Sequence, residues 1–158
     1  MSVTYPERVN FEDFALGDRF RFGVYPLSAD EIVAFARQFD PEPFHLDDAT
    51  ARALGWGGLI ASGLHMASIL RRISKDAFPN VQTVISPGWD EVRWLAPARA
   101  GDTLSAESEV IGARELRSRP GEGALRMQNA VSNQDGVMVM TAITNWFVRS
   151  REAAGAQD

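Results

Sequence analysis

Apolar positions along this chain recur at helical spacing up to about residue 80, apart from one early strand, and alternate with polar ones after it. The early strand is RFRFGVYPL, residues 19–27, rich in aromatic and β-branched types and set off by Gly17-Asp18. Ser28-Ala29-Asp30-Glu31 then matches a capping box, in which the serine hydroxyl and the glutamate carboxylate each satisfy an amide of the first turn. Ile32, Phe35, Ala36 and Phe39 follow on one face, so a helix is expected there. It should stop at Asp40, because Pro41 disfavours a helical conformation in the residue before it.

Residues 40–47, DPEPFHLD, carry prolines at 41 and 43 and read as a stiff loop that holds its side chains between two elements. A short helix from about Asp48 to Leu54 and a flexible Gly55-Trp56-Gly57-Gly58 turn come next. In the following LIASGLHMASILRRI, the positions Leu64, Met66, Ala67, Ile69, Leu70 and Ile73 are spread nearly all round a helix. This predicts a helix enclosed by other elements and solvated only at its Arg71 to Lys75 end.

From Val81 the segments VQTVIS, WDEVRWL, DTLSAESEVIG, ALRMQNAVSN and VMVMTAITNWFVR read as strands, separated by turns such as Pro87-Gly88, Ala100-Gly101-Asp102 and Asp135-Gly136. In the third, Leu104, Ala106 and Val110 share one face while Thr103, Ser105, Glu107 and Glu109 share the other, the pattern of a sheet with one solvated side. The last is apolar on both faces from Val137 to Val148 and belongs in the sheet interior or at an interface. The expected fold class is α+β: one antiparallel sheet wrapped around one long central helix. Residues 1–150 are assigned to a single domain, and 151–158 to a disordered polar tail with nothing to bury.

Composition narrows the partners. At 158 residues and 45% apolar content the chain can build one sizeable core. A net charge of −5, from 16 basic and 21 acidic residues with no basic cluster, argues against nucleic acid and anionic membrane as partners. The absence of cysteine excludes disulfides, thiolate metal sites and a cysteine nucleophile. The first residues lack a secretory pattern and no apolar run approaches membrane-spanning length, so a cytoplasmic location is expected.

Two constellations can carry chemistry. His45 is one of two histidines and follows Asp40 by five residues. A carboxylate and an imidazole held together can handle one water, one group taking a proton and the other giving one. Spacing alone also admits a backbone-capping Asp40 and a structural His45, and that structural reading is the commoner of the two. The second constellation is Ser62-Gly63 at the start of the enclosed helix, where free amides and the positive end of the helix dipole meet and a glycine admits close approach. Such an amide can stabilise a developing enolate oxygen, although a serine N-cap beside a packing glycine has the same signature.

The remaining candidates carry less. Asp47, Asp48, His45 and His65 lack metal-ligand spacing, and no metal site is expected. His65 reads as a core histidine with a backbone partner. Arg71, Arg93 and Arg99 are the arginines available for phosphate contacts, and Trp56, Trp89 and Trp94 for lining an acyl tunnel or for ordinary packing.

FARQFDPEPFHLD followed by GGLIASGLHMASIL, with RWLAPARAGDTL further on, resembles the MaoC-like dehydratases, also called R-specific enoyl-CoA hydratases, of the hot dog fold. The resemblance is close over about Phe35 to Leu70. It implies that Asp40 and His45 bind and activate water, with Asp40 the main base. It further implies that the Gly63 amide, with Ser62 beside it, polarises a thioester carbonyl. The implied reaction is reversible addition of water to an enoyl thioester, on coenzyme A or acyl carrier protein, giving a 3-hydroxyacyl thioester. Coenzyme A enters only as part of the substrate, with no other cofactor, and a homodimer or higher homo-oligomer is implied. Hot dog thioester hydrolysis and a non-catalytic thioester-binding subunit are the competing functions. Glu42, where many members have asparagine, and Ser62, where many have histidine, depart from the family pattern and bear on substrate choice.

Overall fold

A computed structural model of the chain describes residues 8–152. After a short 3-10 turn at Phe11–Asp13 come β1 (Arg19–Pro26), α1 (Ala29–Phe39), α2 (Pro43–Leu46), α3 (Asp48–Ala53) and α4 (Gly63–Ala77). Four strands follow: β2 (Thr83–Trp94), β3 (Thr103–Glu115), β4 (Glu122–Ser132) and β5 (Met138–Arg149). The five strands form one antiparallel sheet in the order β1-β3-β4-β5-β2. The fold is α+β, as the alternating second half of the sequence requires.

The sheet packs on α4 because each contributes an apolar face. Met66, Ile69, Leu70 and Ile73 of α4 meet Leu104, Ala106, Val131, Met140 and Ala142 of the sheet in the main core. Fully burying a side chain of this size is worth about 2–3 kcal/mol, so these four positions on α4 fix the helix against the sheet. The alternation in β3 holds as expected, with Leu104, Ala106 and Val110 fully buried and Glu107 exposed. Strand β5 is central in the sheet, between β4 and β2, and carries buried residues on both faces, Ile143 on one and Met140, Ala142 and Trp146 on the other.

Between this core and a second one built on Val110, Leu125, Met127 and Trp146 runs a buried polar row: Ser108 on β3, Asn129 on β4 and Thr144 on β5. Ser108 Oγ donates to Asn129 Oδ1, and Asn129 Nδ2 donates to Thr144 Oγ1 (3.1 Å) and to the carbonyl of Met127 (2.8 Å). Each member satisfies the next, which is the condition for holding hydroxyls and an amide away from water.

Four local expectations are revised. Pro87-Gly88 does not turn: β2 runs through it, and the register with β5 shifts between Ile85 and Gly88. An edge strand tolerates a proline, since the missing N–H faces no partner strand. Residues 43–46 are a helical turn and not a loop, because Pro43 occupies the first helical position, where no N–H is needed. The α4 helix is enclosed on one side only: Leu64, Ser68, Arg71 and Lys75 form an exposed stripe. The capping box is half formed, with Ser28 Oγ accepting from the Glu31 amide (3.2 Å) while the Glu31 carboxylate points elsewhere.

The polar tail begins tied down. The Ser150 amide donates to the Gly121 carbonyl (2.8 Å), and Arg151 contacts Glu12 and Asp13; residues 153–158 lie outside the described part. Among the described residues, no helix is long and apolar enough to cross a membrane.

Candidate active site

Asp40 is the C-cap of α1, placed by its own amide, which donates to the Ala36 carbonyl (2.9 Å). The chain then reverses through Pro41, and the Glu42 amide bonds the Asp40 carbonyl (2.8 Å). This tight connection swings α2 back so that His45, its third residue, faces Asp40. His45 is 6% exposed, and its Nδ1 lies 2.8 Å from the Ile60 carbonyl. A carbonyl only accepts, so Nδ1 carries the proton and Nε2 of the neutral ring is the nitrogen free for proton exchange. That Nε2 is 3.6 Å from Asp40 Oδ2. The gap is too long for a direct hydrogen bond and short enough for both groups to touch one water.

Ser62, fully buried, links this pair to α4. Its hydroxyl donates to Asp40 Oδ2 at 2.5 Å while its oxygen accepts from the Leu64 amide at 3.1 Å, so one side chain caps α4 and holds the carboxylate. Its place is behind Asp40 and not on the cavity wall. Gly63 opens α4, where the first amides lack helical partners and the dipole is positive. Trp94, at the end of β2, lies over it: Nε1 donates to the Gly63 carbonyl (2.9 Å). A β-carbon at position 63 would come within 2.7 Å of Trp94 Nε1 and Cδ2, so only glycine fits beneath the ring.

Asp40, His45 and Gly63 share the wall of a cavity of about 490 Å³. Phe44, Trp56, Leu64, Met66, Trp94 and Leu95 supply much of the rest, leaving the two titratable side chains in apolar surroundings. Such a site suits proton transfer to or from an uncharged, largely apolar ligand, with an N-terminal amide nearby for developing oxyanion charge.

The other candidates have structural partners. Asp47 caps α3 by accepting from the Thr50 amide (2.7 Å), and Asp48 accepts from the Leu59 amide (2.8 Å). Hydrogen bonds from Thr50 and Leu59 respectively hold both carboxyls below the usual range. Glu42 is exposed and off the cavity wall. Arg99 spends its guanidinium on the carbonyls of Trp56 (2.5 Å) and Gly58 (3.4 Å), clamping the glycine turn, and Arg93 contacts the neighbouring Val92 carbonyl. Trp56 and Trp94 line the cavity, whereas Trp89 packs against the main core. His65 is buried as expected, but its partner is the Glu31 carboxylate and not the backbone. Two contacts had no sequence signal at all, Ser62 to Asp40 and Trp94 to Gly63, because they join positions 22 and 31 residues apart.

Residues 13–132 match the family model described as MaoC like domain. The chain is 32% identical over 151 residues to mesaconyl-CoA hydratase of Cereibacter sphaeroides; the match covers 91% of this chain but only 42% of that protein, so the chain spans less than half of that relative. Among solved structures it is similar to a MaoC-like dehydratase from Rhodospirillum rubrum, at 38% identity and a TM-score of 0.84, covering 90% of this chain and 98% of that one. It is also similar to the (R)-hydratase from A. caviae involved in PHA biosynthesis, at 25% identity and a TM-score of 0.65, covering 88% and 98%. With a single antiparallel sheet packed on α4 and a family match over most of its length, the chain belongs to the MaoC-like dehydratase family of the hot dog fold.

Proposed function

We propose that this protein catalyses the reversible hydration of an enoyl thioester, in the first instance an enoyl-CoA, to the 3-hydroxyacyl thioester. The observation that carries the proposal is the facing of Asp40 Oδ2 and His45 Nε2 across 3.6 Å on the wall of an apolar cavity that also exposes Gly63. In the hydration direction a water touches both groups. Asp40 takes one of its protons as the oxygen bonds to C3 of the acyl chain. The electron pair of the C2–C3 double bond moves toward the thioester carbonyl, whose oxygen accepts the Gly63 N–H while it carries enolate charge. The proton then returns to C2 through the Asp40–His45 pair, so one water is consumed and no net proton is released. Ile60 keeps the His45 ring in the tautomer with Nε2 facing the reaction, and Ser62 keeps the carboxylate from rotating away.

Coenzyme A serves here as the handle of the substrate, and the step as written uses only protein groups and water. The names of the relatives support acyl-CoA hydration as the reaction class. A second copy of the chain completes the site in this proposal: Leu64, Trp94 and Leu95 on the cavity wall are 52%, 52% and 55% exposed, and β2 beside them is an edge strand with an unpaired side.

The test is hydration of a short trans-2-enoyl-CoA, followed by loss of the enoyl chromophore with free thiol titrated in parallel. Asp40→Asn and His45→Gln should each slow turnover by about 10²- to 10⁴-fold while the circular dichroism spectrum is unchanged. Wild-type rates in both variants would refute the assignment. Thiol released in step with substrate loss would assign thioester hydrolysis instead, and binding without turnover a non-catalytic thioester-binding role.

A further inference from the structure

The first turn of α4 touches α1 at two places on either side of Gly63. One is the Ser62 to Asp40 bond. The other is His65, three residues on and so on the same side of the helix, which meets Glu31 and Phe35. His65 is 4% exposed, stacks on the Phe35 ring at a centroid distance of 4.6 Å and an interplanar angle of 9°, and places Nε2 3.4 Å from Glu31 Oε1. The same Glu31 oxygen accepts the phenolic O–H of Tyr25 on β1. One carboxylate therefore gathers three elements, and it does so in place of the capping contact that its position in the sequence predicts.

Protonation is consistent with this arrangement. Burial, opposed by the Glu31 contact, holds the His65 imidazole below its ordinary range, so it is neutral at pH 7. Its partner is a carboxylate, which only accepts, so the proton sits on Nε2 and Nδ1 is a buried acceptor that has no partner among the described residues. Burying an imidazole with one nitrogen unpaired is unfavourable, and a leucine or phenylalanine would fill the same space without that cost. The side chain is thus poorly explained by packing alone. Glu31 and Asp40 stand about 13 Å apart along α1 at 1.5 Å per residue, yet both reach the first turn of α4. Helix α1 crosses that turn and holds it at two points, with Gly63 between them.

We infer that His65, through Glu31 and Tyr25, is a positioning residue for the active site: it fixes the rotation of the first turn of α4 and with it the direction of the Gly63 amide relative to Asp40. The inference rests on the proposed hydratase function for its kinetic consequence but not for its structural one. Ser62 ties the turn to α1 and Trp94 holds the Gly63 carbonyl, but both contacts lie at the very start of the helix. A second contact with α1 three residues along narrows the orientation of the turn further, and small errors in the placement of an oxyanion donor are costly in rate.

The experiment compares wild type, His65→Phe, which keeps the stack on Phe35 but loses the donor, and His65→Gln, whose amide nitrogen restores a donor to Glu31. The kcat for enoyl-CoA hydration should fall about tenfold or more in His65→Phe with KM little changed, and His65→Gln should recover most of it. In parallel, with ¹⁵N-glycine labelling, the Gly63 amide resonance, identified among the 13 glycines by its loss in Gly63→Ala, should shift or broaden in His65→Phe and return in His65→Gln. A His65→Phe protein with wild-type kcat and an unmoved Gly63 resonance overturns the inference, whatever its melting temperature. If wild type fails to hydrate any enoyl-CoA, the proposed reaction is wrong, and the Gly63 resonance alone decides the positioning role. Should His65→Phe not fold, Glu31→Ala, at a half-buried position, carries the same comparison.

Discussion

Replacing Ser62 with alanine removes one oxygen that makes two bonds, and the structure gives the size of the effect. The donated bond goes to a carboxylate at 2.5 Å, a charge-assisted contact of the kind worth about 1.5–3 kcal/mol. The accepted bond caps α4 at the Leu64 amide, 3.1 Å away, and losing a serine cap costs about 1 kcal/mol. The two share an atom and do not add fully. The Asp40 side chain is 29% exposed, so water can replace part of the lost donor. Net destabilisation should therefore be about 2 kcal/mol, which at a urea dependence of about 2 kcal/mol per molar moves the unfolding midpoint down by about 1 M. Turnover should suffer more than stability, because a carboxylate freed from Ser62 can rotate Oδ2 away from His45. A fall in kcat of about tenfold or more is expected, measured on the folded variant well below its unfolding midpoint. A Ser62→Ala protein with the parental midpoint and parental kcat would show that the 2.5 Å contact neither caps the helix nor orders the carboxylate.

Three further outcomes follow from the same geometry. Gly63→Ala must push the Trp94 ring aside and break the Nε1 bond to the Gly63 carbonyl. The lost bond of about 1 kcal/mol is partly offset by the better helix propensity of alanine, so stability should change by less than about 1 kcal/mol while turnover drops at least about tenfold; an active Gly63→Ala enzyme would remove this amide from the mechanism. Asn129→Ala strands the Ser108 and Thr144 hydroxyls and leaves a void between the two cores, so it should cost about 2–4 kcal/mol by urea unfolding, and a loss under about 1 kcal/mol would mean that the polar row contributes little. His65 has a folded-state pKa depressed by burial, so its contribution to stability is complete above the unfolded value of about 6.5 and is lost as the pH falls below it, where the unfolded chain takes up a proton that the native state resists. Between pH 7 and 5 the native protein should lose stability more steeply than His65→Phe. The charged and titratable groups on this side are Glu31 and Tyr25, with Arg72 acting on Tyr25 from α4; burial and Glu31 push the Tyr25 hydroxyl up to about 12, out of this window.

How much of this was legible in the chain varies with the range of the interaction. The change of hydrophobic period near residue 80 located the helices and the sheet, and the one-sided pattern of β3 predicted which of its residues would be buried. Local rules failed where a partner from elsewhere competed. The Pro87-Gly88 pair looks like a turn until one knows that β2 is an edge strand, where a missing amide costs nothing. Glu31 has every local reason to cap α1, yet Tyr25 and His65 draw it away, and hydrogen bonds to the half-buried Tyr25 hydroxyl and the buried His65 ring outweigh one exposed amide.

The sequence by itself determined that α1 ends at Asp40, that His45 follows within reach, and that α4 opens on a serine and a glycine. Those are properties of short segments, set by proline, capping and the reach of the chain over a few residues. Only the tertiary structure decided what the pieces do together: that Ser62 bonds Asp40, that Trp94 covers Gly63, and that His65 anchors α4 to α1. Each of these contacts spans more than twenty residues of chain and exists because the main core presses α4 against the sheet and α1 against α4, a condition that no local pattern of residues records.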